Sequence, residues 1–287
     1  MVVSPTGKAP AARHPRKTEQ GGTKMDMTGT TARTPSGHAL SGRTAIITGA
    51  SSGIGRATSL TLAGAGAAVV IQARRADSLE NVAREISGRG GKVLPVIGDA
   101  GLEADIDRLL DEALAWDDGG RRYDIVVVNA GRGLLGGILT SDAAQWQDLY
   151  QVNVLGATYI MRRAGQYMIE KKGGDIVAIS SVAARNLSPF GAFYGSSKAA
   201  LSVITEALRR DVASSGVRVT TVMPGIVLTG FQEVAGYNAE NFGNAVAPFG
   251  KLLEPSDIAE TICWLLTLPP HVNINEIAIR PTGQVYP

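Results

Sequence analysis

The feature that most restricts the fold is a regular alternation of short apolar runs with helical patterns from Gly42 onward. The apolar runs are nearly continuous in Val, Ile and Ala, which is typical of strands buried on both faces of a parallel sheet. No linker interrupts the alternation. It predicts an α/β fold, a doubly wound Rossmann-type sheet of about seven parallel strands with helices on both faces. The predicted strands are 44–48, 68–72, 92–97, 125–129, 175–180, 217–223 and 274–279.

The helical patterns lie between these strands. They predict helices over 54–66, 78–88, 102–116, 141–171, 195–215 and 255–268. The stretch 228–251 shows neither pattern, and irregular segments of that length in a compact domain are usually functional lids or disordered.

The first 40 residues differ in composition from the rest of the chain. They are rich in Gly, Pro, Thr, Lys and Arg and show no hydrophobic periodicity. Such a segment buries too little apolar surface to offset the entropy lost on ordering. Residues 1–40 are therefore predicted to be a disordered extension and 41–287 a single Rossmann-fold domain. A translation start placed too early, with Met25 or Met27 as the true start, gives the same pattern. A targeting role is the remaining alternative.

Charge and cysteine content argue against several classes of protein. The net charge is +2; residues 1–40 contribute +4, from six basic and two acidic side chains, which leaves −2 for 41–287. That balance does not indicate a nucleic-acid surface. Cys263 is the only cysteine, so we expect neither an internal disulfide nor a zinc cluster, and a reducing compartment such as the cytoplasm. No apolar run is long enough to span a bilayer. The histidines lack metal-ligand spacing.

A glycine-rich turn, ITGASSGIG, follows the first predicted strand and opens a helix. In a dinucleotide site Gly49 would make the tight turn, Gly53 would let the pyrophosphate approach the backbone, and Gly55 would let the helix pack closely. Amides at the helix N-terminus and the helix dipole favour phosphates. The alternative is an ordinary turn with a serine as N-cap. The candidate cofactor residues of this turn are Gly49, Ser51, Ser52, Gly53, Ile54 and Gly55.

The end of the second predicted strand bears on the choice of cofactor. An acid there would bind the ribose 2′-hydroxyl of NAD, whereas a basic residue favours the 2′-phosphate of NADP. The sequence VVIQARR has Ala73 where the acid would stand, followed by Arg74 and Arg75. These residues favour NADP, with Arg74 as the main contact. If both arginines are merely solvated, NAD is possible.

Six short motifs follow one another in a characteristic order: TGASSGIG (48–55), NAG (129–131), VN ending at Asn153, ISS (179–181), YGSSK (194–198) and PGIVLT (224–229). Together they resemble the short-chain dehydrogenase/reductase family over about residues 41–287. The ending VNINEIAIRPTGQ is similar to a subgroup of clavulanate dehydrogenase-like and serine 3-dehydrogenase-like reductases.

The resemblance implies a catalytic role for Tyr194, which would donate or take the proton at the substrate oxygen. A free phenol titrates at about pH 10, too high for a base near neutrality. Lys198, four residues later on the same helix face, would lower the pKa of the phenol and, by resemblance, bind the nicotinamide ribose. The alternative is an interfacial tyrosine beside a solvated lysine.

Two more residues match the catalytic set of the family. Ser181 would hydrogen-bond the substrate oxygen and orient it, while its neighbour Ser180 is expected to serve packing or capping. Asn153, unfavourable inside a predicted helix, would hold a water that links Lys198 to solvent. The alternative for Asn153 is a simple helix irregularity.

The resemblance also implies further contacts to the cofactor. Asn129, Ala130 and Gly131 would lie at the adenosine ribose and stabilise the sheet, although Val128 stands where the family commonly has a first asparagine. Asp99 would contact the adenine amine and Ala100 would supply its backbone. In the segment closing over the nicotinamide, Val227 would bind the carboxamide through its backbone and Thr229 the phosphate side. The matching positions there are Pro224, Gly225, Val227 and Thr229.

The activity implied is hydride transfer between NADP(H) and a small-molecule carbonyl or secondary alcohol, in a homotetramer or homodimer without nucleic-acid or membrane partners. Helices 141–171 and 195–215 are expected at an interface between subunits. The substrate site leans apolar, which suggests a hydrophobic ketone or aldehyde. A non-catalytic nucleotide-sensing or scaffold protein, an NAD-dependent alcohol dehydrogenase, and an isomerase or dehydratase that keeps its cofactor bound are the alternatives. Candidate substrate-lining residues are Val182, Ala183, Arg185, Leu187, Phe190 and the stretch 228–251, with Phe231, Tyr237 and Phe242.

Overall fold

Seven parallel strands form a single sheet in the computed structural model, which describes residues 38–186, 191–236 and 246–286. All the described residues belong to one compact unit. The sheet order is β3-β2-β1-β4-β5-β6-β7. The strands are β1 Thr44–Thr48, β2 Ala68–Ala73, β3 Val93–Ile97, β4 Ile125–Val128, β5 Gly174–Ile179, β6 Val217–Pro224 and β7 Glu276–Ile279. The predicted seven-stranded, doubly wound parallel sheet is confirmed.

Helices cover both faces of this sheet. They are α1 Gly53–Gly64, α2 Ala76–Gly88, α3 Glu103–Ala115, α4 Trp146–Tyr150, α5 Ala157–Lys171, α6 Ala192–Val212, α7 Phe231–Val234 and α8 Pro255–Thr267. One core joins α1, α2 and α8 to the sheet through buried residues such as Leu62, Leu79 and Ile258. The opposite core includes Leu109 of α3 and Ile160 of α5.

The strand order reverses between β1 and β4, which pair directly with Ile46 opposite Val126. Chain connections leave these two strands in opposite directions, so a crevice opens at their carboxyl ends, where α/β folds bind ligands. Six segments that carry candidate site residues follow strand ends on this edge. They start at Gly49 after β1, Arg74 after β2, Gly98 after β3, Asn129 after β4, Ser180 after β5 and Gly225 after β6.

The long helix predicted over 141–171 begins slightly later, at Ala143, and is not α-helical throughout. The carboxylate of Asp142 accepts a hydrogen bond from the Ala144 amide at 3.0 Å and caps a short 3₁₀ turn, so that α4 begins only at Trp146. Between α4 and α5 the backbone is π-helical over Gln151–Gly156. Such π segments inside helices frequently occur at functional sites.

The helix predicted over 195–215 begins earlier, at Ala192, and its α-helical part ends at Val212. Gly191 takes the N-cap position, and its carbonyl accepts the Gly195 amide at 2.8 Å. Tyr194 therefore lies inside the first turn of α6 rather than before it.

Most of the predicted disordered extension lies outside the described residues. At its end, Leu40 is 1% exposed and packs in the core beside α1, with its amide donating to the Ala65 carbonyl at 2.9 Å. Within the described ranges, no helix has the length and apolar character required to cross a membrane.

Candidate active site

The glycine turn after β1 depends on the absence of side chains. Gly49 has a φ of +68°, and a Cβ there would lie 2.9 Å from the Cα of Ala130. A Cβ on Gly55 would lie 2.3 Å from the Gly49 carbonyl oxygen, far inside van der Waals contact. The predicted tight turn at Gly49 is thus present, and Gly55 allows α1 to pack against the turn itself.

Side-chain hydrogen bonds tie this turn to the end of β4. The Asn129 side-chain amide donates to the Thr48 carbonyl at 2.9 Å. In return, the Thr48 hydroxyl oxygen accepts the amides of Asn129 at 3.1 Å and Ala130 at 3.0 Å. The single asparagine at this position therefore fixes the floor of the crevice, which fits the sheet-stabilising part of its predicted role.

Both arginines after β2 are exposed beside the glycine turn. The Arg75 guanidinium donates to the hydroxyls of Ser51 at 3.3 Å and Ser52 at 3.2 Å, and Arg74 lies 3.5 Å from the Asp99 carboxylate. Ser52 occupies the N-cap position of α1, but its side chain caps no helix amide. The open end of α1 and two guanidinium groups thus share one rim of the crevice, which favours anions.

Asp99 also orders the turn after β3. Its carboxylate accepts the Gly101 amide at 2.8 Å, and its own amide donates to the Asp105 carboxylate at 2.7 Å. The backbone around Ala100 packs against the π-helical segment: a Cβ on Gly156 would lie 2.0 Å from the Ala100 carbonyl oxygen. The adenine end of the predicted cofactor site and the segment carrying Asn153 are therefore in direct contact.

Lys198 is buried on α6, with 4% of its surface exposed. Its ammonium nitrogen donates to the Ile179 carbonyl at 2.9 Å and lies 5.9 Å from the centre of the Tyr194 ring. Loss of solvation lowers the pKa of Lys198 from 10.5 to about 8. The alternative of a solvated lysine does not fit this geometry.

Asn153 lies in the π-helical segment and is fully buried. Its side chain accepts the Arg132 amide at 2.9 Å and donates to the Arg132 carbonyl at 2.9 Å and to the Ser197 hydroxyl at 3.0 Å. A Cβ on Gly131 would lie 3.0 Å from Asn153 Oδ1 and 3.3 Å from Lys198 Nζ. Asn153 does occupy a helix irregularity, the π-helical segment. In that position its side-chain oxygen lies near the Lys198 ammonium.

Ser181 and Ser180 point in opposite directions, as adjacent extended residues do. The Ser181 hydroxyl oxygen accepts the Ala183 amide at 3.1 Å, and this bond leaves its proton to be donated elsewhere. The Ser180 hydroxyl instead donates to the Lys198 carbonyl at 2.9 Å and lies 2.7 Å from the Ser202 hydroxyl. Ser180 thus anchors β5 to α6, the packing role expected for it.

The segment after β6 crosses the crevice from the glycine turn to Tyr194. Near one end, a Cβ on Gly53 would lie 3.2 Å from the Thr229 methyl group. Farther along the chain, the ring of Phe231 lies 5.5 Å from that of Tyr194. At the start of the segment, Gly225 is held near β7, where a Cβ would lie 2.3 Å from the Gln284 side-chain oxygen. We call residues 225–236 the lid.

Of the predicted substrate-lining residues, Val182 and Ala183 are buried in the 3₁₀ turn after Ser181. Arg185 is exposed and forms an ion pair with Glu276 of β7. The positions outside the described residues are Leu187, Phe190, Tyr237 and Phe242.

Sequence reasoning missed three residues that shape this site. Gly133 contacts the lid, where a Cβ would meet the Phe231 ring at 2.6 Å. Thr48 accepts hydrogen bonds from the backbone amides of Asn129 and Ala130. Gln232 hydrogen-bonds the backbone of the lid. Of these, only Gln232 had a readable signal, because Thr229 and Gln232 form a T-x-x-Q capping-box pattern.

Comparison with known proteins identifies the class. The family model described as short chain dehydrogenase matches residues 43–239. An uncharacterised oxidoreductase of Staphylococcus aureus (strain MRSA252) is 35% identical over 242 residues, covering 84% of this chain and 98% of that protein. The chain belongs to the short-chain dehydrogenase/reductase family and is an oxidoreductase of that family.

Two solved structures resemble this chain over most of its length. The closed form of a serine dehydrogenase complexed with NADP+ has a TM-score of 0.76 and 29% identity, covering 85% of this chain and 96% of that one. A metagenomic short-chain oxidoreductase in complex with NADP has a TM-score of 0.71 and 33% identity, covering 85% and 99%.

Proposed function

We propose that this protein is an NADP(H)-dependent oxidoreductase that interconverts a carbonyl compound and the corresponding secondary or primary alcohol. The observation that carries the proposal is the buried Lys198 ammonium beneath the Tyr194 ring, with the side-chain oxygen of Asn153 beside the same face of Gly131 as that ammonium. When bound, the cofactor supplies or accepts the hydride. The protein must hold and move the proton, and these side chains suit that task.

Tyr194 exchanges the proton with the substrate oxygen. A positive charge nearby stabilises the phenolate and lowers the pKa of the phenol, and Lys198 provides that charge while it remains protonated. Ser181 donates its hydroxyl proton to the same oxygen, which positions it and stabilises negative charge there. Asn153 sustains proton exchange between Lys198 and solvent through a bound water.

The crevice fits a dinucleotide. Close backbone contacts at Gly49 and Gly55 leave no room for side chains, and the uncapped N-terminus of α1 suits a pyrophosphate. Arg74 and Arg75 lie where a 2′-phosphate would be bound, and the two solved relatives described above hold NADP. These features support NADP over NAD, with Asp99 and Ala100 at the adenine and Val227 and Thr229 at the nicotinamide.

The substrate is an apolar ketone or aldehyde. Phe231 covers Tyr194 from the lid, and Val182 and Ala183 follow Ser181, so the surroundings of the reacting oxygen are mainly apolar. The working assembly is a homotetramer or homodimer in the cytoplasm. Exposed apolar side chains beside α5 and on α6, Leu155 at 57% and Val203 at 70%, support a subunit interface there.

The direct test is consumption of NADPH against ketones and aldehydes graded in size and polarity, with NADH as control. We expect turnover with NADPH and a preference for larger apolar carbonyls. Turnover of only small charged carbonyls would overturn the substrate class, and preference for NADH would overturn the assignment of Arg74 and Arg75. Cofactor binding without turnover of any carbonyl would favour the nucleotide-sensing alternative.

A further inference from the structure

Gln232, in the first turn of α7, makes contacts beyond those needed to cap that helix. Its side-chain oxygen accepts the Thr229 amide at 3.2 Å and the Thr229 hydroxyl at 3.3 Å. The Thr229 hydroxyl oxygen in turn accepts the Phe231 amide at 3.1 Å. These bonds resemble a capping box and account for the oxygen of Gln232. They leave its side-chain nitrogen unexplained.

That nitrogen donates to the Val227 carbonyl at 2.7 Å, the shortest of these contacts. Capping of α7 does not require this bond, because Val227 lies before the cap residue. Glu would serve equally in a capping box but has no N–H to donate. The choice of Gln therefore matters at Val227 rather than at Thr229.

The N–H and C=O of Val227 point away from Leu253. Val227 forms an isolated parallel bridge with Leu253 in which the Ile226 carbonyl accepts the Leu253 amide at 3.2 Å and the Leu228 amide donates to the Leu253 carbonyl at 2.8 Å. In a parallel bridge of this kind the central residue directs its own N–H and C=O to the opposite side. Here that side carries Gln232.

The position of Val227 relative to the site follows from its neighbours. Thr229 contacts the glycine turn at Gly53, and Phe231 contacts Tyr194. A dinucleotide reaching from that turn to the catalytic tyrosine must pass beneath this segment. The nicotinamide end would then lie beside the Val227 peptide group.

We propose that Gln232 is a positioning residue that orients the Val227 carbonyl for the carboxamide of the bound nicotinamide. A carbonyl oxygen has two acceptor sites. Gln232 fills one and fixes the peptide plane, so that the other presents a directed acceptor to the carboxamide N–H. The Gln232 side chain also caps α7, so one residue both stabilises the lid and orients the Val227 carbonyl. This inference rests on the proposed function.

Two variants test the role of the side-chain nitrogen, and a third serves as their control. Gln232→Glu keeps the acceptor for Thr229 but loses the donor to Val227. Gln232→Met loses both contacts without adding charge. Each is compared with wild type for binding of NADPH and of 2′-phospho-ADP-ribose, which lacks the nicotinamide. The third, Gly64→Ala, lies where a Cβ meets nothing within 4 Å and serves as a control for general handling.

We expect both Gln232 variants to bind NADPH roughly three- to tenfold more weakly, as loss of one neutral hydrogen bond gives, with their affinity for the nicotinamide-free ligand unchanged from wild type. Gln232→Glu keeps the acceptor that caps α7, so a loss as large as that of Gln232→Met is caused by the missing bond to Val227 and not by a loosened lid. The nicotinamide ring of NADPH is uncharged, so the added carboxylate of Glu does not attract it. Equal losses for both ligands, a loss in Gln232→Met alone, or tighter NADPH binding would overturn the inference.

Failure of the proposed function looks different in the same experiment. If wild type binds neither ligand, the NADP assignment itself is wrong. If wild type binds both and the ratio stays constant across the variants, the cofactor assignment stands and the role of Gln232 does not.

Discussion

The ammonium nitrogen of Lys198 lies 5.9 Å from the centre of the Tyr194 ring, one helical turn further along α6 and almost completely buried. Burial and charge act against each other here. In the proposed mechanism the positive charge favours the phenolate, but loss of solvation lowers the pKa of Lys198 to about 8. The Ile179 carbonyl, at 2.9 Å, partly replaces the lost solvent.

The lowered pKa of Lys198 predicts that catalysis stops improving, or declines, at alkaline pH. As pH rises through about 8, Lys198 loses its proton and no longer favours the Tyr194 phenolate. We expect kcat/KM of the wild type in the oxidative direction to level off or fall in that range. The Lys198→Arg variant keeps its charge at every accessible pH, so its lower activity should continue to rise above that point. Identical pH profiles for the two proteins would contradict this account.

The same burial predicts a pH-dependent cost to stability. The folded pKa of Lys198, about 8, lies below its ordinary value of 10.5, so between these values the unfolded chain binds more protons and stability increases with pH. The cost is fully present below about pH 8 and is gone above 10.5. It amounts to about 3 kcal/mol, from a shift of that size.

The measurement is urea unfolding of wild type and Lys198→Met at pH 7 and pH 10.5. Relative to the variant, the wild type should gain about 3 kcal/mol between the two conditions. Subtraction of the variant removes the contributions of other tyrosines and lysines. A difference that does not change with pH would show that Lys198 is better solvated than its burial indicates.

The arginines after β2 should govern the choice of cofactor. Replacement of both Arg74 and Arg75 by Ala removes the cations beside the glycine turn while leaving the hydroxyls of Ser51 and Ser52 in place. We expect KM for NADPH to rise about tenfold or more, since charge-assisted hydrogen bonds to a phosphate are lost. KM for NADH should remain nearly constant. A parallel rise for both cofactors would point to a structural role for the pair.

Gly55 and Gly64 offer a matched pair within α1. A Cβ on Gly55 would lie 2.3 Å from the Gly49 carbonyl oxygen, whereas a Cβ on Gly64 meets nothing within 4 Å. Gly55→Ala should destabilise the protein by about 1–3 kcal/mol through overpacking and abolish cofactor binding by displacing the turn. Gly64→Ala should stabilise the helix by about 0.5–1 kcal/mol. Thermal unfolding and NADPH titration of both variants measure these effects, and normal cofactor binding by Gly55→Ala would be inconsistent with a tightly packed turn.

Much of the fold was predictable because its signals are local. The central strands are buried on both faces and show up as continuous Val and Ile runs, so their existence and order of alternation were correct. The start of the 141–171 helix was placed too early, because the Asp142 carboxylate caps a 3₁₀ turn and the α-helix begins only at Trp146. A π segment has the same composition as the helix around it, so periodicity could not locate it.

The candidate site divides in the same way. The Tyr194–Lys198 spacing is visible in the sequence, since both lie on one face of one helix. The Arg132 amide donates a hydrogen bond to the Asn153 side chain, 21 residues further along the chain. No local sequence pattern predicts a contact over that separation. Likewise, the T-x-x-Q pattern predicts the cap made by Gln232. The hydrogen bond from Gln232 to the Val227 carbonyl depends on how the backbone of the lid folds back, which the pattern does not predict.

The most direct test of the central claim is the turnover of NADPH and a ketone by Tyr194→Phe, with NADPH binding measured on the same preparation. The substitution removes one oxygen from a half-buried ring and leaves the contact with Phe231. We predict turnover reduced by at least about 100-fold, the scale of general acid catalysis, with NADPH affinity retained. Turnover close to wild type would contradict the assignment of Tyr194 as the proton donor.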